Sequence, residues 1–272
     1  MSKSLRVNLD KFSAADYEAF STAYQNASPY PHLVLEELFP ADELRNILNE
    51  FGNSSSCRWR EYQTALQNKR GTAANTTLPP KTQDYFNFLY SGPFIRFLSR
   101  ITGIKNLIPD PELHGAGMHE VGSGGRFQIH VDFLKHPRTG LRNRLAVITY
   151  LNEKWTEEDG GALELWQLTP PRRVTTVLPV FGRTVIMEQS EVAAHGHPAP
   201  VREQRLRRTI IAYFYTADMP IKSENDTLAT TYVQHSGYSL SQQAELQLRR
   251  VTPRFILDAI KIIHKAFGSL RY

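Results

Sequence analysis

The sequence predicts a mainly β protein, a barrel or jelly roll of antiparallel strands with helices packed around it. From Leu107 onward the chain breaks into short apolar or alternating runs punctuated by glycine and proline, the texture of successive strands. The intervals between those runs are short and hold no amphipathic helix, so the strands connect without helical crossovers and pair antiparallel. The first third carries helical periodicity instead.

Taken in order, residues 15–24 predict a helix that Pro29 and Pro31 terminate. His32 to Leu35 predicts a short strand. Pro40 opens a second helix, with Leu44, Ile47, Leu48 and Phe51 at helical spacing and Gly52 at its end. Residues 53–77 are polar and weakly patterned, which predicts a loop region. Two further helices follow at 82–89 and 93–102, the second with Phe94, Phe97, Leu98 and Ile101 in one apolar stripe. Strands are predicted at 126–131, 145–151, 162–166, 174–178, 184–187 and 209–216. Ile256, Ala259, Ile260, Ile263 and Phe267 mark an amphipathic C-terminal helix. The organisation expected is a single domain over 1–272, with a helical N-terminal part (1–106), a jelly-roll core (107–218) and a C-terminal helical extension (219–272).

Composition bounds the function classes. Hydrophobic residues are 41% and charged residues 22% of 272, ordinary for a soluble globular protein. A single cysteine, Cys57, excludes an intrachain disulfide and any multi-cysteine zinc site, and suits a reducing, cytoplasmic setting. No apolar run approaches the ~18–20 residues of a membrane span, and residues 1–10 hold no signal-peptide-like stretch. The net charge of +5 gathers in arginine clusters without any helix-turn-helix, RNP or zinc-finger pattern, so a solvated basic surface is expected rather than a specific nucleic-acid partner. Oligomeric state has no signature.

The chemistry concentrates in His130-Val131-Asp132, a distant His195 or His197, and Arg207. Residues two apart on an extended strand point the same way, so His130 and Asp132 project together. Two imidazoles and one carboxylate are the facial triad of non-heme Fe(II) oxygenases, which leaves positions open for a co-substrate and O₂. Both His195 and His197 are candidates for the third ligand. Arg207, Thr209, Ile211 and Tyr213 share one strand face, and a buried arginine there needs an anion such as a carboxylate. A glycine-rich turn, Gly122 to Gly125, precedes the His-x-Asp strand.

These residues stand in a recognisable order. After His130-Val131-Asp132 come Tyr150-Leu151-Asn152, Asp159-Gly160-Gly161-Ala162-Leu163-Glu164, Pro179-Val180-Phe181-Gly182-Arg183, the distal histidine, and the strand that Arg207 begins. In this order the stretch from about 117 to 216 resembles the Fe(II)/2-oxoglutarate-dependent dioxygenases, in the prolyl 4-hydroxylase-like group. The resemblance implies a double-stranded β-helix core with a metal at one open end. It implies His130, Asp132 and His195 as iron ligands, although the spacing of His197 to Arg207 also resembles several prolyl hydroxylases. Arg207 would grip the distal carboxylate of 2-oxoglutarate, with Tyr150 beside it. Fe(II), 2-oxoglutarate and O₂ are the implied cofactor set, with ascorbate as a candidate reductant. Related halogenases replace the acidic ligand by Gly or Ala; this chain keeps Asp132, which favours hydroxylation.

The function expected is therefore a 2-oxoglutarate-dependent dioxygenase hydroxylating an unactivated C–H of a small molecule or of an amino-acid or prolyl residue, releasing succinate and CO₂. The alternative is a non-catalytic or regulatory jelly-roll metal-binding protein, which would have no use for a buried Arg207. His114 reads as a packing histidine, His119 stays open as a pocket residue, and Tyr213 is placed behind Arg207. The 53–77 and 135–144 loops are expected as substrate walls, and Arg142, Arg144 and Arg202 hint at an anionic substrate.

Overall fold

The computed structural model describes residues 9–52, 57–217 and 230–251. Helix α1 (Ala14–Asn26) starts at a capping box, in which Ser13 Oγ accepts from the Asp16 N–H and Asp16 Oδ2 accepts from the Ser13 N–H at 2.7 Å. Strand β1 (His32–Leu35) and helix α2 (Ala41–Gly52) follow as their sequences predict. Strands β2 (Trp59–Gln63) and β3 (Gln67–Thr72) form a hairpin, and helices α3 (Pro80–Leu89) and α4 (Gly92–Thr102) come next. The strands that follow are β4 (Ile108–Pro109), β5 (Gly117–Val121), β6 (Arg126–Val131), β7 (Arg142–Tyr150), β8 (Leu163–Leu168), β9 (Pro171–Val177), β10 (Thr184–Glu188), β11 (Ala194–His197) and β12 (Arg207–Thr216). A short β13 (Thr231–Tyr232) and helix α5 (Leu240–Val251) complete the described chain.

All strands join one curled sheet in the order β1-β10-β7-β12-β5-β3-β6-β11-β8-β9, with β2 on β3, β4 on β12 and β13 on β6. The paired strands run antiparallel, so the fold is a jelly roll without helical crossovers. Strand β3 pairs with both β5 and β6 and so carries the sheet from its larger wall to its smaller one.

Alternation along β7 and β12 separates two environments. Outward residues meet the helices: Thr149 bonds the Tyr85 hydroxyl of α3 at 2.7 Å, and Phe214 packs against Tyr90 and against Phe94 of α4. Inward residues Ile148, Tyr150, Thr209, Ile211 and Tyr213 line the interior of the jelly roll. The helices therefore buttress the larger wall and leave the interior free for chemistry.

The polar stretch after α2 is not a loop. Its β2–β3 hairpin escaped the sequence pattern because Tyr62, Gln67 and Lys69 face a polar cavity, so no apolar alternation marks the strands. Strands β5 and β11 also went unpredicted; β5 is buried on both faces and β11 is only four residues long. Helix α5 lies where the sequence reads as polar, and its Leu246 joins Leu66, Tyr232 and Tyr238 in a small cluster over the hairpin. The amphipathic helix predicted from Ile256 to Phe267 falls outside the described residues. Among the described residues no helix is long and apolar enough to cross a membrane.

Phe94 is fully buried among Phe39, Phe88, Phe97 and Phe214. Its replacement by alanine leaves a cavity between α4 and the sheet and should cost about 3–5 kcal/mol, measured as a shift in the urea midpoint at unchanged m-value.

Candidate metal and co-substrate site

Strands β6 and β11 lie side by side with His130 directly opposite His195, and Asp132 follows at the end of β6. Gly196 allows this closeness, since a Cβ there would lie 2.8 Å from the carbonyl oxygens of Gln128 and Phe127. His130 Nε2 stands 3.3 Å from Asp132 Oδ1, and His195 Nε2 stands 3.5 Å from Asp132 Oδ2. Ligand atoms of the three residues gather within 4.8 Å of one another, and all three side chains are buried.

The tautomers follow from the backbone. His130 Nδ1 lies 2.7 Å from the Gln128 carbonyl and His195 Nδ1 lies 3.0 Å from the Ala193 carbonyl. A carbonyl only accepts, so each Nδ1 carries a proton and each Nε2 turns toward Asp132. Burial pushes the His195 pKa down to about 4, so its ring is neutral at physiological pH. Burial works against ionisation of Asp132, but His195, His130 and the Tyr213 hydroxyl outweigh it and hold the carboxyl well below its usual range. Tyr213 donates to Asp132 Oδ2 at 2.8 Å. Two imidazole Nε2 atoms and an ionised carboxylate therefore converge on one point, a donor set that fits a cation. The donor set, two imidazole nitrogens and one oxygen, suits Fe(II).

His197 lies beyond a register shift in β11, outside this cluster. Its ring meets Phe127 edge-on, its Nδ1 has no partner, and burial together with Arg207 and Lys69 keeps it neutral.

Arg207 opens β12 and is 5% exposed. Its Nε donates to the Gly161 carbonyl at 2.7 Å, and its guanidinium lies 5.2 Å from the centre of the Tyr150 ring. Gly161 adopts φ +62, and a Cβ there would sit 2.8 Å from Arg207 Cδ, so the glycine clears the arginine's path. Among the described residues no carboxylate pairs with Arg207, and the buried Tyr150 hydroxyl lies against its guanidinium. A buried guanidinium without a carboxylate partner marks a seat for one.

Both features open into one cavity of about 880 Å³. His119 lines it with both ring nitrogens unpartnered, burial pushing its pKa down to about 3. His114, half-buried at the rim, packs against Phe133 and His136. The sequence missed Lys69 and Phe127, which line the cavity, because neither belongs to a motif. The arginines it placed near the mouth lie elsewhere: Arg142 reaches Glu191, Arg144 reaches Thr216, and Arg202 reaches Glu158. A second cluster of possible ligands, Asp110, Glu112 and His136, has a simpler account. His136 Nδ1 accepts from the Arg138 and Thr139 amides, so its Nε2 carries the proton and points at Asp110, 3.5 Å away. Asp110 in turn accepts from the Glu112 and His114 amides, which makes the group a loop anchor.

With this geometry in view, residues 116–216 match the 2OG-Fe(II) oxygenase superfamily. That match spans strands β5 to β12, the stretch that carries His130, Asp132, His195 and Arg207. The chain is also 28% identical over 232 residues to the prolyl 3,4-dihydroxylase OGFOD1 of Ostreococcus tauri, across 78% of this chain and 43% of that protein. It thus spans less than half the length of this curated relative. Its fold is similar to a Pseudomonas putida prolyl-4-hydroxylase (TM-score 0.54, 17% identity, 73% of this chain and 99% of the other). It is similar as well to SnoN, an epimerase of nogalamycin biosynthesis in complex with Fe³⁺ and α-ketoglutarate (TM-score 0.57, 11% identity, 82% and 98%).

The buried histidines set an acid limit on stability. His119 and His195 have folded pKa values of about 3 and about 4, below the ordinary 6.5, and His197 is lowered too. The unfolded chain therefore binds more protons than the native one below pH 6.5. The metal-free protein should be most stable above pH 6.5, and its Tm should fall steadily as pH drops from 6.5 toward 4, before the carboxylates titrate. A Tm that stays flat across that window in calorimetry would contradict the burial of neutral imidazoles.

Proposed function

We propose that this protein is an Fe(II)- and 2-oxoglutarate-dependent dioxygenase that hydroxylates an unactivated C–H bond of a small molecule or of an amino-acid or prolyl residue. The observation that carries this reading is the pairing of two unmet demands in one cavity: a buried triad that needs a cation and a buried Arg207 that needs an anion. Iron chelated by a dicarboxylate meets both at once.

In this reading His130, Asp132 and His195 hold the metal through Nε2, one carboxylate oxygen and Nε2. The Gln128 and Ala193 carbonyls orient the two rings, and the Tyr213 hydroxyl orients the carboxylate. Arg207 and Tyr150 receive the far carboxylate of 2-oxoglutarate. His197 lines the cavity beside Phe127 as a neutral wall residue. Bound iron would couple reduction of O₂ to the decarboxylation of 2-oxoglutarate to succinate and to oxidation of the substrate C–H, with ascorbate as a candidate reductant of oxidised metal. The chain's own part is to orient these groups and to limit water around them.

The similarity to a prolyl 3,4-dihydroxylase supports a prolyl or amino-acid substrate. We place the enzyme in the cytoplasm, consistent with a single cysteine, Cys57, in the whole sequence. We read the chain as a single domain, because α1 to α4 share one hydrophobic core with β1, β7, β10 and β12. A regulatory metal-binding jelly roll would retain the triad but leave Arg207 without a task.

Anaerobic titration with Fe(II) and then 2-oxoglutarate tests this reading without knowledge of the substrate. The visible metal-to-ligand charge-transfer band should appear in wild type and in His197→Ala, and vanish in His130→Ala and His195→Ala. Arg207→Ala should weaken 2-oxoglutarate binding by on the order of 10- to 100-fold. Iron binding without any band in wild type would favour the regulatory module.

A separate substitution tests the room that Gly161 leaves for the arginine. Gly161→Ala should lower 2-oxoglutarate affinity about tenfold by displacing Arg207, with Fe(II) affinity unchanged. Equal losses for metal and co-substrate would show a general disturbance of the site.

A further inference from the structure

The cavity holds one cation that neither the metal nor the co-substrate uses. Lys69 lies on β3 opposite Tyr62, and both side chains face inward. Its Nζ sits 3.9 Å from the centre of the Phe127 ring and 5.5 Å from that of Tyr62. Phe127 in turn stacks on the His130 imidazole, with centroids 3.7 Å apart and planes at 27°. The ammonium is thus one ring removed from a residue of the triad. Among the described residues no carboxylate pairs with it, and Asp132 is the only carboxylate lining the cavity.

Formal charge sharpens the point. The two positive charges of Fe(II) and the one on Arg207 are matched by Asp132 and the two carboxylates of 2-oxoglutarate. Lys69 is left over. Arg249, at the mouth, is held by Glu245 through two contacts at 2.9 and 2.6 Å, and Arg60 is exposed with its guanidinium over Tyr62. A half-buried ammonium with no paired anion is destabilised, and its place over Phe127 recovers only about 0.5–2 kcal/mol. Desolvation pushes the Lys69 pKa down to about 8 against the opposing pull of Asp132, and a paired anion would strengthen its positive charge.

We propose that Lys69 is a substrate-specificity residue that receives a carboxylate of the substrate, so the enzyme acts on acidic molecules: a free amino acid, or a residue flanked by an acidic group. This rests on the dioxygenase reading above. Lys69 sits on the β2–β3 hairpin, whose tip is tied to α5 by the Ala65 amide to Glu245 Oε2 at 2.8 Å and by Gln242 Nε2 to the Ala65 carbonyl at 3.1 Å. The seat is therefore built on a braced element.

The test is calorimetric titration, under nitrogen, of protein loaded with Fe(II) and 2-oxoglutarate. The probes are matched pairs: N-acetylproline with N-acetylprolinamide, acetyl-Asp-Pro-amide with acetyl-Asn-Pro-amide, and acetyl-Pro-Asp-amide with acetyl-Pro-Asn-amide. In wild type at least one acid should bind about tenfold more tightly than its neutral partner. Lys69→Met, which keeps an apolar stem on Phe127, should abolish that preference, and Lys69→Arg should retain it. The 2-oxoglutarate titration of Lys69→Met, read by the charge-transfer band, should stay within about twofold of wild type. A preference that survives Lys69→Met overturns the proposal, as does failure of every acid to bind wild type. A co-substrate defect in Lys69→Met matching that of Arg207→Ala overturns it as well, by assigning Lys69 to 2-oxoglutarate. Absence of the band in wild type would instead overturn the dioxygenase reading, which keeps the two failures apart.

Discussion

The Gln128 and Ala193 carbonyls take the Nδ1 protons of His130 and His195, and the rest of the site depends on that commitment. With both Nδ1 protons held by the backbone, the two rings turn Nε2 toward the buried Asp132 carboxylate. Three electron-rich atoms then converge in a space from which water is largely excluded, an arrangement that costs several kcal/mol unless a cation enters. Each histidine bonds a carbonyl two residues before it, so the tautomer is a property of the strand itself. The antiparallel register that sets His130 opposite His195 does the remainder.

The surrounding structure divides into two walls of different character. Strands β7, β12 and β10 are packed by buried aromatic and aliphatic side chains against α3 and α4, and they carry Tyr150, Arg207 and Tyr213 on their inner faces. In the proposed reading the groups that would hold metal and co-substrate need fixed geometry, which this packed wall suits. The opposing wall, the β2–β3 hairpin with α5 and β13, rests on a small apolar cluster and a few polar bonds to the hairpin tip. Its exposure of polar side chains to the cavity is what leaves it open to variation in substrate.

The same division explains what could be read in the sequence. The rigid wall was legible because apolar residues alternate along β7, β10 and β12 and recur at helical spacing in α2 and α4. His130 and Asp132 were legible as a pair two apart, and Arg207 as a charge on an otherwise apolar inward face. The hairpin was not, since Tyr62, Gln67 and Lys69 line the cavity with polar side chains and mimic a loop. His195 was set above His197 only by the family resemblance, because a strand of four residues with a register shift gives no pattern from which to tell which ring meets Asp132. The charge hint was also misplaced. Arg142 and Arg202 stand near acidic partners remote in sequence, and only the folded chain reveals that, among the described residues, no carboxylate pairs with Lys69.

Fold alone does not identify the substrate. SnoN, an epimerase, shares this architecture as fully as a prolyl-4-hydroxylase does. Conserving a metal centre and a dianionic co-substrate leaves the reaction's target to the groups that face the open side of the metal. Here those groups sum to excess positive charge, because Asp132 is matched by the metal and, among the described residues, no other acid lines the cavity. A neutral substrate would leave Lys69 desolvated and uncompensated in the closed complex, at a cost that rises as water is expelled. An acidic substrate removes that cost on binding, so exclusion of water and selection of substrate become one event. The sign of one side chain on the less rigid wall thereby does what the rigid wall, built for the metal, cannot.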